Sequence, residues 1–156
     1  MMKYRVRDLL ARRSGGNVAY FVREHWTVQE AARYMSERDI GAVTVLDAQD
    51  QVVGVFSERD LLKRVIAPGK DPRVLKVRDV MTREVVTADP DETLDACIEK
   101  MKAFRCRHLP IVDAGAFRGM ISMRDLMEWI VQDQEDELRF MRSYITHVPP
   151  EHESIP

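Results

Sequence analysis

Two stretches of the sequence are nearly identical, and they decide the expected fold. Gly54–Leu62 reads GVFSERDLL, and Gly119–Met127 reads GMISMRDLM. Each stretch begins with a glycine and two apolar residues, reaches a serine, and then places an Arg-Asp pair at the same offset. An internal repeat indicates two copies of one supersecondary unit. The sequence therefore predicts a chain built from two related halves.

Each repeated stretch is predicted to be a β-strand that turns into a helix. In the first copy, residues 52–56 are β-prone, residues 61–66 favour a helix, and Ser57 at the break is a preferred N-cap. A helix start offers N–H groups and a positive dipole end to a phosphate. The carboxylates of Asp60 and Asp125 offer acceptor oxygens to vicinal hydroxyls. The stretch therefore favours half of a nucleotide site.

A purely structural role explains the same residues. Ser57 with Asp60, and Ser122 with Asp125, are spaced as in a capping box, which only starts a helix. Capping alone does not require Arg-Asp-Leu twice, so the duplication favours ligand contact. Both interpretations stay open at this point.

Composition narrows the classes of function. Lys plus Arg number 24 against 26 acidic residues, giving a net charge of −2. This balance argues against a nucleic-acid partner, which requires a basic patch or stripe. No apolar run is long enough to cross a membrane and no signal-peptide core is visible, so we expect a cytoplasmic protein without a membrane partner. The two cysteines, Cys97 and Cys106, form neither a disulfide framework nor a zinc pattern.

The two halves show the same order of elements. Thr27 and Glu30 form a capping box before a helix with one apolar face, and Thr93 begins its counterpart. The predicted strands are residues 18–22, 40–46 and 52–56 in the first half, and 85–87, 109–112 and 117–122 in the second.

The domain boundaries follow from this order. We expect repeat one at residues 6–70, repeat two at 71–132, and a C-terminal helix with a disordered tail at 133–156. A unit of about 60 residues is marginal alone. The halves should therefore pack sheet to sheet about a pseudo-two-fold axis, with two clefts at their interface.

This order, with Gly-φ-φ-Ser-x-Arg-Asp-Leu closing each half, resembles tandem cystathionine-β-synthase (CBS) domains, the Bateman module. Arg107–Asp113 (RHLPIVD) and Asp39–Val43 (DIGAV) carry the same resemblance. It implies an α/β fold of two β-α-β-β-α repeats plus a C-terminal helix, usually as a dimer.

The resemblance also implies an adenosine ligand such as AMP, ATP, NAD or S-adenosylmethionine. By this resemblance the ribose contacts are Asp60 and Asp125, and the phosphate contacts are Ser57 and Ser122. Arg59 and Arg124 fall within the same turns, and Arg107 and His108 match positions that often approach phosphate. The adenine pockets lie near Tyr20–Phe21 and Val86–Thr87. Repeat one departs from the family pattern, with Glu24 where repeat two has Pro90 and Thr44 where it has Pro110. The second cleft is therefore the better match.

The C-terminal stretch carries an apolar stripe. Leu138, Met141 and Ile145 fall at i, i+3 and i+7 after an acidic run. The stripe either folds back on its own module or forms a dimer contact. Residues 147–156 are predicted to be disordered.

The functional hypothesis is a stand-alone regulatory module without catalysis, a homodimer that senses an adenosine nucleotide and signals to a partner protein. One alternative is a ligand-free scaffold that acts by protein–protein interaction. A second is a small hydrolase or thiol enzyme using Cys106 with His108, for which the sequence provides no orienting group.

Overall fold

The computed structural model describes residues 3–13 and 18–146, so the predicted disordered tail at 147–156 lies outside the described residues. The elements, in chain order, are α1 (Val6–Arg12), β1 (Phe21–Arg23), α2 (Val28–Glu37), β2 (Ala42–Leu46), β3 (Val52–Ser57), the single turn α3 (Glu58–Asp60), a π-helical segment (Leu61–Ile66), α4 (Val77–Val80), α5 (Leu94–Phe104), β4 (His108–Asp113), β5 (Ala116–Ser122) and α6 (Met123–Thr146). The chain forms two compact units, residues 1–123 and 124–156.

Two small sheets form the centre of the first unit. In the first sheet β1 runs parallel to β2, and β2 pairs antiparallel with β3. In the second sheet β4 pairs antiparallel with β5. The rings of Phe21 and Phe117, one from each sheet, meet edge to face with centroids 6.4 Å apart. The predicted mixed α/β fold with two packed sheets is confirmed.

The predicted first strand of the second half is wrong. Residues 85–87 are irregular, and Ala88 alone makes a parallel bridge, to Ile111. Its amide donates to the Pro110 carbonyl at 2.9 Å, and its carbonyl accepts from Val112 at 2.9 Å. Extending this parallel ladder by two residues would need an N–H at position 110, and proline has none. The matching position in the first half is Thr44, and there a three-residue strand forms opposite it.

The segment before the second half packs on the first half. Val77 of α4 is fully buried and belongs to the first core together with Val22, Phe56 and Met35. The Val77 amide donates to the carbonyl of Trp26 at 2.9 Å. The residues after the linker at 67–72 therefore complete the hydrophobic core of the half that precedes them.

The N-terminal segment makes the reciprocal contact. The Val6 amide donates to the Glu92 carbonyl at 3.0 Å, and the Leu94 amide donates to the Tyr4 carbonyl at 3.0 Å. Arg7 forms an ion pair with Asp91. The two halves thus exchange their leading segments, α1 and α4. The boundaries at 6–70, 71–132 and 133–156 stay a prediction.

Helix α6 is one continuous helix of 24 residues. The closing helix of repeat two and the predicted C-terminal helix are therefore a single element. Leu126 and Trp129 are buried, whereas the large apolar side chains from Val131 onward are exposed. Among the described residues, no helix combines the length and the apolar content that crossing a membrane requires.

Candidate ligand-binding site

The strand-to-helix turn of the first half contains a complete capping box. Ser57 ends β3, and its hydroxyl accepts a hydrogen bond from the Asp60 amide at 3.3 Å. In return, Asp60 Oδ2 accepts from the Ser57 amide at 3.0 Å and from the Ser57 hydroxyl at 3.1 Å. The structural role considered for this pair is therefore present, and both residues start the helix.

The second oxygen of the Asp60 carboxylate is also engaged. Oδ1 accepts from the Thr82 hydroxyl at 3.1 Å and lies 3.7 Å from Nε of Arg64. Asp60 is only 6% exposed, and a buried carboxylate requires such partners. A ribose hydroxyl at this oxygen would share it with the Thr82 hydroxyl.

Thr82 is the site residue that the sequence reasoning missed. Its backbone pairs with Val55 in both directions, at 2.9 and 3.0 Å, next to the glycine of the repeated stretch. A Cβ on Gly54 would lie 2.9 Å from the Thr82 carbonyl oxygen and 2.5 Å from the Met81 sulfur. The glycine therefore permits a close approach of two backbones. Gly54 was therefore the sequence signal for this contact, but a glycine does not indicate which segment of the chain approaches it.

The predicted adenine-side residue Tyr20 lies in an aromatic cluster at the edge of the first half. Its ring meets Tyr34 edge to face at 6.4 Å, and the Arg38 guanidinium lies 3.6 Å from the Tyr34 ring centroid. Tyr20 and Arg59 are both exposed. The first half thus carries tyrosine rings and arginine side chains near its surface that a ligand could contact.

In the second half, three predicted residues lie at one end of the two-stranded sheet. His108 at the start of β4 stands directly opposite Ser122 at the end of β5. The Met123 amide donates a hydrogen bond to the Arg107 carbonyl at 2.8 Å, which joins the residue before β4 to the residue after β5. Arg107 is exposed, and His108 and Ser122 are half-buried. This end of the sheet carries an arginine, a histidine and a serine, which are residue types that can bind an anion.

The remaining predicted residues of this half lie on two other elements. Val86 and Thr87 are half-buried in the irregular segment before Ala88, and the Thr87 carbonyl accepts from Nζ of Lys100 at 2.9 Å. Arg124 and Asp125 lie in the first turn of α6. Arg124 pairs with Glu128 at 3.2 Å within that helix.

The thiols are poor nucleophiles. Burial, reinforced by the nearby Glu92 carboxylate, raises the pKa of Cys97 to about 11. Burial also raises the pKa of Cys106. Since the thiolate is the reactive form, both side chains stay protonated near neutral pH. The thiol-enzyme alternative gains no support from this structure.

A surface cavity of about 490 Å³ lies at the start of α2 and is lined by His25, Trp26, Thr27, Glu30 and Lys76. Thr27 and Lys76 pair across it by an isolated bridge, where the segment leading to α4 crosses the first half. The cavity is lined by none of the residues predicted to bind a ligand.

Comparison with known proteins agrees with this architecture. The family model of the CBS domain matches twice, over residues 6–67 and 77–132. The chain therefore belongs to the family of CBS-domain proteins, and it carries two copies of the domain. The resemblance to tandem CBS domains that the sequence indicated is confirmed.

Relatives occur in distant organisms. The mitochondrial CBS domain-containing protein CBSX3 of Arabidopsis thaliana is 30% identical over 123 residues, which span 76% of this chain and 60% of the plant protein. The CBS-domain containing protein ATU1752 from Agrobacterium tumefaciens has a solved structure with a TM-score of 0.73 and 36% identity, covering 80% of this chain and 98% of that one.

One further solved structure is the CBS domain pair of protein MJ0100 in complex with 5′-methylthioadenosine and S-adenosyl-L-methionine. Its TM-score is 0.70 at 23% identity, covering 81% of this chain and 99% of that one. At this identity the likeness shows the shared fold alone.

Proposed function

We propose that this CBS-domain pair is a regulatory module that binds an adenosine compound and reports its level to another protein. The observation that carries the proposal is the end of the second sheet, where the strand register places His108 opposite Ser122 and a backbone hydrogen bond joins Arg107 to Met123. Arginine and serine side chains both donate hydrogen bonds to phosphate oxygens. The adenosine ligands named for the MJ0100 pair support the ligand class.

The second half is proposed as the better binding site. In the first half, both oxygens of the Asp60 carboxylate already accept hydrogen bonds from Ser57 and Thr82. A ligand there would share a carboxylate that already accepts three hydrogen bonds, and the sequence of the first half is also the one that departs from the family pattern. AMP, ATP, NAD and S-adenosylmethionine are the candidate ligands.

A ligand-free scaffold is the second candidate function. The observation that favours it is the capping box of Ser57 and Asp60, which explains the first repeated stretch without any ligand. In this case the module would act through protein–protein contacts only. Both candidates include a homodimer and a cytoplasmic location, and neither includes catalysis.

Calorimetric titration of the intact chain with each candidate ligand tests the proposal. We expect binding of at least one adenosine compound, and a ten- to hundredfold rise in Kd for phosphate-bearing ligands in the variant Arg107→Gln, from the loss of about 1.5–3 kcal/mol of charge-assisted hydrogen bonding. The matched control is Arg105→Gln, which removes an exposed arginine two residues away. Absence of binding by all four compounds at millimolar concentration would leave the scaffold as the function.

A further inference from the structure

Helix α6 carries an exposed apolar stripe with strict heptad spacing. The side chains, which we call the heptad stripe, are Met127, Val131, Gln134, Leu138, Met141 and Ile145. Their spacing alternates between four and three residues over the whole helix, which is the pattern of a coiled-coil seam rather than of a globular helix face. The five apolar members are 52–72% exposed.

We infer that α6 pairs with α6 of a second copy of this chain as a parallel, in-register, two-stranded coiled coil. This inference rests on the proposed homodimer and specifies where and how its subunits meet. In heptad notation, Val131, Leu138 and Ile145 occupy the a positions. Two of these three are β-branched and none of the d residues is, which agrees with two strands, since Ile at both a and d shifts the preference to three or four.

The polar member of the stripe selects the register. Gln134 occupies a d position between apolar layers. In a parallel, in-register pair it faces the same side chain of the other copy, and two amides can hydrogen-bond to each other. An antiparallel pair centred on the stripe would instead bury Gln134 against Leu138. That arrangement leaves the amide unsatisfied, which is costly.

Charge at the flanks of the stripe favours the same orientation. Glu137 occupies a g position and Arg142 the following e position, and both are exposed. A parallel pair places Glu137 of each copy next to Arg142 of the other, so two opposite-charge contacts form by symmetry. An antiparallel pair brings Glu135 against Glu135 and Glu137 against Glu137. It also brings Glu128 of each copy against Arg142 of the other, so its like-charge contacts offset its opposite-charge contacts, whereas the parallel pair has opposite-charge contacts alone.

The first test is the oligomeric state of the intact chain, measured by sedimentation. We expect the wild-type chain to be a dimer and Leu138→Glu to raise its dissociation constant by at least about a hundredfold, since the charge would be buried in the seam. Phe140→Glu is the matched control, because Phe140 is more exposed than Leu138, lies on the same helix and falls outside the stripe. A monomeric wild type, or equal effects of the two substitutions, would overturn the inference.

The second test reads the direction of the helices. In the parallel pair, residue 141 faces its own counterpart, so Met141→Cys should form an intermolecular disulfide on mild oxidation. In the antiparallel pair the two residues 141 are ten positions apart along the helix, about 15 Å, which a disulfide cannot bridge. Phe140→Cys controls for geometry and for the native Cys97 and Cys106. A dimer that does not cross-link through Met141→Cys contradicts the parallel arrangement.

These readouts need no nucleotide. A failure of the coiled coil therefore leaves the ligand titration intact, and a failure of ligand binding leaves the dimer measurement intact. Folding of each variant is checked by its helical circular dichroism, which an exposed substitution should not change.

Discussion

The Asp60 carboxylate accepts a hydrogen bond from the Thr82 hydroxyl at 3.1 Å, although 22 residues separate them in the sequence. This contact joins the repeated stretch of the first half to the segment that leads into the second half. It gives a residue predicted to bind ribose a structural partner. The two roles of Asp60 can be separated by substitution.

Removal of the Thr82 hydroxyl should destabilise the chain. In Thr82→Val the buried Asp60 carboxylate loses a donor, so we expect the free energy of unfolding to fall by about 1–3 kcal/mol. Chemical denaturation measures this change. Thr82→Ser keeps the hydroxyl and is the control. Equal stability of Thr82→Val and the wild type would show that the contact contributes nothing.

The two repeated aspartates should respond differently to loss of charge. Asp60→Asn should lower stability, by about 1 kcal/mol for the weakened cap, with little change in ligand affinity. Asp125→Asn should raise the Kd of an adenosine ligand about ten- to hundredfold. Titration beside melting curves separates the two effects. Unchanged affinity in both variants would leave capping as the whole role of the motif.

The Thr44 hydroxyl should be dispensable for stability. Thr44 is fully buried in β2, and its hydroxyl finds no hydrogen-bond partner among the described residues. Thr44→Val keeps the shape and removes the unsatisfied group, so we expect a gain of about 1 kcal/mol in a denaturation experiment. Thr44→Ser, which keeps the hydroxyl and loses a methyl group, should be less stable than the wild type. Destabilisation by Thr44→Val would mean that the hydroxyl has a partner in solution.

The exchanged segments should stabilise the halves on which they pack. Val6 and Val77 are both fully buried and occupy matching positions in α1 and α4. Val6→Ala should reduce the hydrogen-exchange protection of amides in α5, and Val77→Ala that of amides in α2, by about 1–3 kcal/mol each. The two variants serve as controls for each other. Equal losses in both halves would contradict a local effect.

Much of the fold could be predicted from local patterns. The capping box of Thr27 and Glu30 starts α2 as expected, with hydrogen bonds of 2.8 and 3.1 Å. The two hairpins also form where short apolar runs flank a polar turn. These features depend on residues within about one turn of each other, so their signals lie close together in the sequence.

Other features were decided by tertiary contacts. A strand at residues 85–87 was a reasonable expectation from its β-prone residues, but the ladder needs an N–H from the facing strand, where Pro110 stands. The sequence repeat likewise predicted two capping serines and aspartates, but only the structure shows that the buried Asp60 carboxylate also accepts a hydrogen bond from Thr82.

The sequence by itself determined the repeat, most of the order of elements and the heptad spacing of α6, because each is a repeated pattern along the chain. Only the tertiary structure decided that α1 packs on the second half and α4 on the first. Apolar periodicity shows that a segment must be covered, but it does not say by which part of the chain. The partner depends on which surfaces the chain connections bring together, and that is settled when the whole unit folds.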